Sequence, residues 1–392
     1  MELKKLAILT DCVHVFSEQG IAGSENHIFI RQMQELAMHF DQVLICCPFV
    51  PYTSDMVITY YKQEKIIFHP LPNVGGNRLL DKILLLGAFP EWLKAFREAG
   101  RFADIIYQRF PNNLNIPGFF YYYFKKTKVF ATYAGTWKNY KGEPFTYRFQ
   151  KWVLKKYFRG PIWIYQADEN IQRQNIFPNF SPSYSLTEWE EEAPRVRSKI
   201  DKLKFNTPDH LKLITVGALV PYKNQQFLLE ACKILLNEKV NYRLYIVGDG
   251  PLRHHFTEYI LKNGLSNNVL LLGKKTDKEL RELYRNADLL IQSPITEGYG
   301  KVPLEGLFHG VIPVLGNKGM AKIIIGQNER GFLFPLTDPA ILATLLKRIP
   351  DNRDILIQMI ENGREYTREL TLENWGNYYF EKIYKYFENT TY

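Results

Sequence analysis

The chain of 392 residues predicts an α/β protein of two doubly wound parallel-sheet domains. Three observations carry that expectation. Short β-rich runs alternate with longer amphipathic segments along most of the chain. The alternation runs twice, with a strand-free gap between the halves. The length exceeds that of most single domains, and a hydrophobic content of 46% is enough for two cores.

In the first half the predicted strands are Leu6–Thr10, Gln42–Cys46, Lys65–His69, Asp104–Gln108, Lys128–Tyr133 and Ile162–Tyr165. In the second half they are Lys212–Val216, Arg243–Val247, Asn268–Leu272, Leu289–Gln292, Ile312–Leu315 and Gly331–Phe334. Helical patterns such as Asn26–Met38, Asn224–Asn237, Leu252–Lys262, Asp277–Arg285 and Pro339–Arg348 lie between them. The gap runs from Asn179 to Asn206. It holds Ser-Pro-Ser and then the charged stretch Glu188–Lys204, and it reads as an interdomain connection. Aromatics at near-helical spacing from Leu372 to Phe387 predict a last helix with one apolar face docked on a domain. Two such domains are expected to face each other across a cleft, with ligands at the carboxyl ends of the strands.

No apolar run reaches the length of a membrane-spanning helix. The N-terminal Met1–Asp11 reads as a first strand rather than a signal peptide. Cys12, Cys46, Cys47 and Cys232 have neither metal nor disulfide spacing, so reduced thiols in a cytoplasmic protein are expected.

The net charge of +9 is uneven. Between Tyr121 and Gly160 stand ten basic residues, one acid (Glu143) and fourteen aromatics. Interleaved cations and Tyr/Trp rings suit the inner face of an anionic membrane. The same pattern serves single-stranded nucleic acid or an ordinary solvated face. The reading carried forward is peripheral membrane contact and no nucleic acid.

The most informative segment runs from Pro294 to Gly316. Glu297 and Glu305 stand eight positions apart, in Glu297-Gly298-Tyr299-Gly300-Lys301-Val302-Pro303-Leu304-Glu305. The apolar run Asp288–Ser293 precedes them, and the strand-like run Val311–Leu315 follows. Strand, glycine-bearing loop, helix, strand is the layout of a phosphate site at a helix N-terminus. The carboxylates add acceptors for hydroxyl groups.

This segment resembles the donor-binding Glu-x7-Glu motif of the retaining glycosyltransferases of family 4. Four further segments follow in that family's order. Ala22-Gly23-Ser24-Glu25 resembles its Gly-Gly-x-Glu loop, with Ala22 in place of the first glycine. Gly217-Ala218 through Lys223-Asn224 resembles its diphosphate site, with Ala218 where a basic residue is usual. Tyr245-Ile-Val-Gly248-Asp249-Gly250-Pro251 and the segment around Gly273 complete the set.

The resemblance implies a fold of the glycosyltransferase-B type. Residues 1–180 would form an acceptor-side domain, 181–206 a linker and 207–371 the nucleotide-sugar domain, with 372–392 returning to the first. It implies transfer of a sugar from a nucleotide diphosphate to an acceptor hydroxyl with the anomeric configuration retained. The acceptor would be a glycan or a lipid-linked molecule in surface polysaccharide assembly. Glu297 would orient the donor sugar and Lys223 would stabilise the departing diphosphate. Backbone N–H groups around Gly298, Tyr299, Gly300, Lys301 and Val302 would meet the sugar and phosphates, and Glu305 would bind the ribose. Gly23, Gly217 and Gly273 would line the donor, Gly273 beside the base. His14 and Arg109, each near a strand end, are acceptor-side candidates. Ala134 replaces the histidine frequent in the family. No Asp-x-Asp occurs, so no metal or other cofactor is expected. The absent cation at Ala218 and the Ala134 replacement keep a non-catalytic sugar-nucleotide or glycan-binding protein open, and an epimerase is a further alternative.

Overall fold

The structure is a computed structural model that describes residues 3–75, 85–140, 142–165, 173–205, 210–297, 299–349 and 353–389. The chain divides into two compact units. The first holds Met1–Ser183 and Leu372–Tyr392, and the second holds Tyr184–Thr371.

The first unit contains β1 (Lys5–Leu9), β2 (Val15–Phe16), β3 (Ala22–Ser24), β4 (Gln42–Pro48), β5 (Thr59–Tyr60), β6 (Ile66–Leu71), β7 (Ile105–Phe110), β8 (Val129–Tyr133), β9 (Ile162–Ile164) and β10 (Ile176–Pro178). Seven of these form one sheet in the order β10-β9-β8-β7-β1-β4-β6, and every pairing is parallel. Side chains alternate across it, as a strand's period of two requires. On one face Ala7, Leu9, Leu44, Cys46, Ile106 and Ala131 join Trp92, Phe96, Phe119, Tyr122 and Val153 from the helices Phe89–Phe102, Asn115–Lys125 and Phe145–Lys156. On the other, Leu6, Ile8, Val43, Ile45, Tyr107 and Phe130 join Phe29 and Met33 of the helix His27–Ala37. With both faces covered, the strands read as nearly continuous apolar runs. The last helix, Leu372–Glu388, closes the second face. Tyr379 stacks on Trp163 at 4.2 Å, and its hydroxyl meets Thr132 Oγ1 at 3.1 Å.

The second unit contains β11 (Leu211–Val216), β12 (Tyr242–Val247), β13 (Val269–Gly273), β14 (Leu289–Gln292), β15 (Ile312–Gly316) and β16 (Phe332–Phe334). Their order is β13-β12-β11-β14-β15-β16, again all parallel. Both sheets run outward from their first strand in the 3-2-1-4-5-6 order of the Rossmann fold, which is what two doubly wound domains require. The order reverses between β1 and β7 in the first sheet, and between β11 and β14 in the second. No helix among the described residues is long and apolar enough to cross a membrane.

The stretch expected as an interdomain connection is instead a helix of 20 residues, Leu186–Phe205, built into the second unit. Val196 and Ile200 lie in that unit's core. Its carboxylates have partners rather than solvent. Glu188 takes Arg281 at 2.7 Å, and Glu192 takes Arg285 at 2.5 Å, so two i,i+4 pairs face each other between this helix and the helix Asp277–Asn286. A small antiparallel sheet, β2-β3-β5, is a further element that the sequence pattern does not announce.

Candidate functional site

The reversal point of the second sheet gathers most of the predicted donor residues. After β11 the chain turns at Gly217 and enters a short 3-10 turn, Pro221–Lys223. After β14 it continues through Ser293 to Glu297. These two loops are laced together. Asn224 Nδ2 donates to Ser293 O at 3.0 Å, Ser293 Oγ donates to Asn224 O at 2.9 Å, and Ile295 N donates to Tyr222 O at 2.9 Å. Below them Gln292 Nε2 donates to Val216 O at 3.0 Å. The lacing sets Lys223 Nζ 2.5 Å from Glu297 Oε2, with each side chain about one-fifth to one-quarter exposed. The two residues chosen from motifs 74 positions apart are thus a direct ion pair.

Lys223 also runs alongside Gly217, where a Cβ would stand 3.8 Å from its Cε. Gly217 and Gly248 need to be glycines for a backbone reason. A Cβ on Gly248 would stand 2.1 Å from Gly217 O, and both have positive φ. The Gly248 N–H donates to Gly273 O at 2.8 Å, so the ends of β11, β12 and β13 form one continuous edge. Gly273 therefore lies on the same edge as Gly217.

Beyond Glu297 comes the helix Lys301–Phe308, whose N-cap is Gly300 with no side chain to cap it. The first backbone N–H groups of any helix lack intrahelical partners, and its N-terminus favours negative charge. Lys301 and Val302 open this helix. A Cβ on Gly300 would lie 3.7 Å from Glu297 Cγ, so this helix start adjoins the ion pair. Tyr299 is buried beside it. Gly298 lies outside the described residues.

Glu305, expected at the ribose, lies deeper in the same helix. It is the fifth residue of its helix, past the first turn, and it is buried. Its Oε2 accepts from Tyr284 Oη at 2.9 Å. Tyr284 stacks on His309 at 5.6 Å. His309 meets Glu192 Oε1 through Nδ1 at 2.8 Å and Tyr184 Oη through Nε2 at 3.1 Å. Burial lowers the His309 pKa against the pull of Glu192. Burial alone would raise Glu192, but its hydrogen bonds from His309 and Arg285 bring it down to about 2. This relay is the part of the site the sequence did not signal, because its members come from three separate helices and the residues that flank them.

Two first-unit candidates are corrected. Gly23 sits in β3, where a Cβ would come within 2.6 Å of Thr59 O and of Ile58 Cγ2. Close approach of β5 therefore explains this glycine, and no phosphate loop is needed. His14 is fully buried among Phe29, Phe49, Tyr61 and Phe68. Its Nδ1 donates to Cys12 O at 2.7 Å, and its Nε2 lies 3.2 Å from Tyr61 Oη. Burial lowers its pKa to about 4, so it is a neutral core residue with both nitrogens engaged. Arg109 does stand at a strand end, that of β7, only partly covered.

The family described as "Glycosyl transferases group 1" matches residues 197–366. Glycosyltransferase MJ1178 of Methanocaldococcus jannaschii is 28% identical over 224 residues, which is 56% of this chain and 62% of that protein. Protein CapJ of Staphylococcus aureus is 32% identical over 169 residues, 43% of this chain and 39% of CapJ. The chain thus spans about half the length of these curated relatives. The crystal structure of Anabaena HepE in complex with UDP superposes with a TM-score of 0.72 at 14% identity, covering 98% of this chain and 100% of that one. That likeness shows a shared fold, the two-domain glycosyltransferase-B type. Residues 197–366, which hold the Lys223–Glu297 pair, are thus similar to glycosyl transferases of group 1.

Proposed function

We propose that the chain transfers a sugar from a nucleotide-diphosphate sugar to an acceptor hydroxyl, with retention and without a metal, and that it serves surface or lipid-linked glycan assembly. The observation that carries this reading is the Lys223–Glu297 pair at the β11–β14 reversal, next to a helix start. A cation, backbone N–H groups and the positive end of a helix can together hold a diphosphate. HepE, which shares the fold, has been crystallised with UDP and with UDP-glucose. In this reading the incoming diphosphate takes Lys223, and Glu297 is released to accept hydroxyls of the donor sugar. Tyr284 holds Glu305 toward the ribose. The leaving phosphate oxygen takes the acceptor proton on the front face.

The test is turnover of a nucleotide-sugar panel with product anomers resolved by proton NMR. The proposal expects the donor's anomeric configuration in the product. An inverted product, or donor binding with no transfer or hydrolysis across the panel, overturns it.

The acceptor is brought from a membrane in this proposal. Phe124 and Phe145 are 78% and 77% exposed, on the helices Asn115–Lys125 and Phe145–Lys156. Lys125, Lys126, Arg148, Lys155, Lys156 and Arg159 are exposed on or beside them. The stretch's single acid, Glu143, is buried in an ion pair with Lys151 at 2.5 Å. Each cation near an anionic surface contributes about 1 kcal/mol. Reversing Lys125, Lys126, Lys155 and Lys156 to Glu should lower flotation with phosphatidylglycerol vesicles by on the order of a hundredfold or more. Unchanged flotation sinks this part of the proposal.

A further inference from the structure

The two sheets share one strand order, and Arg109, an acceptor-side candidate of the sequence, stands at the reversal point of the first. That point lies between β1 and β7, where an open α/β sheet places its ligand. The two strand ends there are clamped by a single buried side chain. Asn115 Nδ2 donates to Leu9 O at 3.2 Å and to Arg109 O at 2.8 Å. Asn112 Nδ2 also donates to Arg109 O at 2.5 Å, and Asn112 Oδ1 accepts from Asn115 N at 2.7 Å. Arg109 and the exposed Asp11, two residues past β1, stand on this clamp.

The arginine's surroundings are unusual for a cation. Its guanidinium lies 4.7 Å from the Phe29 ring and 5.9 Å from that of Tyr107, and it reaches Tyr107 Oη at 3.5 Å. Tyr165, Tyr379 and Cys12 complete the setting. Among the described residues no carboxylate comes within ion-pair distance of it. Asp11 interacts with it only at longer range and hydrogen-bonds with Asn112. A guanidinium held among aromatic rings, with one long hydrogen bond to a tyrosine hydroxyl and no carboxylate beside it, has little to repay its desolvation.

We propose that Arg109, Asp11 and Asn112 form an acceptor site that takes a hydroxyl-bearing molecule carrying a phosphate or carboxylate group. Arg109 binds the anionic group in its planar fork, and Asp11 accepts a hydrogen bond from the neighbouring hydroxyl. The word acceptor rests on the glycosyltransferase reading, whereas the anion site stands or falls without turnover.

Saturation-transfer NMR on the full chain tests the site with glycerol 3-phosphate, glucuronate and neutral glycerol. Wild type should bind one or both anions and ignore glycerol. Arg109→Gln should weaken anion binding at least tenfold, and Arg109→Lys should recover part of it. Preference for glycerol 3-phosphate identifies a phosphate headgroup, and preference for glucuronate an acidic sugar. Equal binding by wild type and Arg109→Gln overturns the proposal, as does equal binding of glycerol. A second measurement needs no variant. Cys12 is half-buried, whereas Cys46, Cys47 and Cys232 are fully buried. Its alkylation rate, read by mass spectrometry on the unmodified protein, should fall at least threefold in the preferred anion and not in glycerol. A rate that does not change contradicts the site.

Discussion

Lys223→Ala should lower kcat for sugar transfer by about 10²- to 10³-fold at saturating donor, with a smaller change in KM. The reason is the timing of charge. The diphosphate gains negative charge as the glycosidic bond breaks, so a cation beside it stabilises the transition state more than the bound donor. Glu297→Gln should act differently. It keeps the side chain's size, removes the carboxylate that meets the donor sugar, and frees Lys223 from its 2.5 Å partner. Donor affinity should therefore fall less than kcat. Because the two side chains touch, the double variant should cost less than the sum of the singles. Steady-state kinetics of the three variants checks this. Strict additivity, or a Lys223→Ala enzyme with unaltered kcat, contradicts the roles assigned.

Glu192→Gln should destabilise the second unit by about 2–3 kcal/mol, less than a fully buried pair because Arg285 is partly exposed. Glu192 accepts from Arg285 Nε at 2.8 Å, from Arg285 Nη2 at 2.5 Å and from His309 at 2.8 Å. The same group sets the pH dependence. His309 has its folded pKa below the unfolded value of about 6.5, so the unfolded chain binds the proton first and stability falls as pH drops below about 6.5. Glu192 is depressed from 4.5 to about 2, so its contribution is complete above about 4.5 and is lost between there and about 2. Trp189 is the second unit's single tryptophan. The Trp189 signal in fluorine NMR of protein labelled with 5-fluorotryptophan therefore follows this unit during urea titration. The wild-type midpoint should fall between pH 7.5 and 5.5 and again below 4.5. Glu192→Gln should flatten the second fall. Parallel curves for the two proteins would refute the assignment.

The sheets were legible because each core strand is a short β-rich run bounded by turn residues, and burial on both faces keeps it apolar. The Lys223–Glu297 pair was legible through two motifs on adjacent loops, although nothing in the sequence says that they touch. The helix Leu186–Phe205 was hidden for a physical reason. Its buried positions fall at Glu192, Val196 and Ile200, so one-third of the inward stripe is a carboxylate whose partners lie 93 and 117 residues away. Pro194 within the helix masks the pattern further. Gly23 and His14 misled in a related way. A glycine that admits a neighbouring strand looks like one that admits a phosphate. A histidine enclosed by Phe29, Phe49, Tyr61 and Phe68 looks exposed until the fold brings those rings together.

In the proposed function the β11–β14 reversal point binds the diphosphate of a nucleotide sugar. A crystal structure of the protein with a bound nucleoside diphosphate tests it most directly. Phosphate oxygens are expected on Lys223 Nζ and on the backbone N–H groups at the start of the helix Lys301–Phe308, with the Lys223–Glu297 ion pair opened. A nucleotide bound elsewhere, with that pair still closed at 2.5 Å, would contradict it.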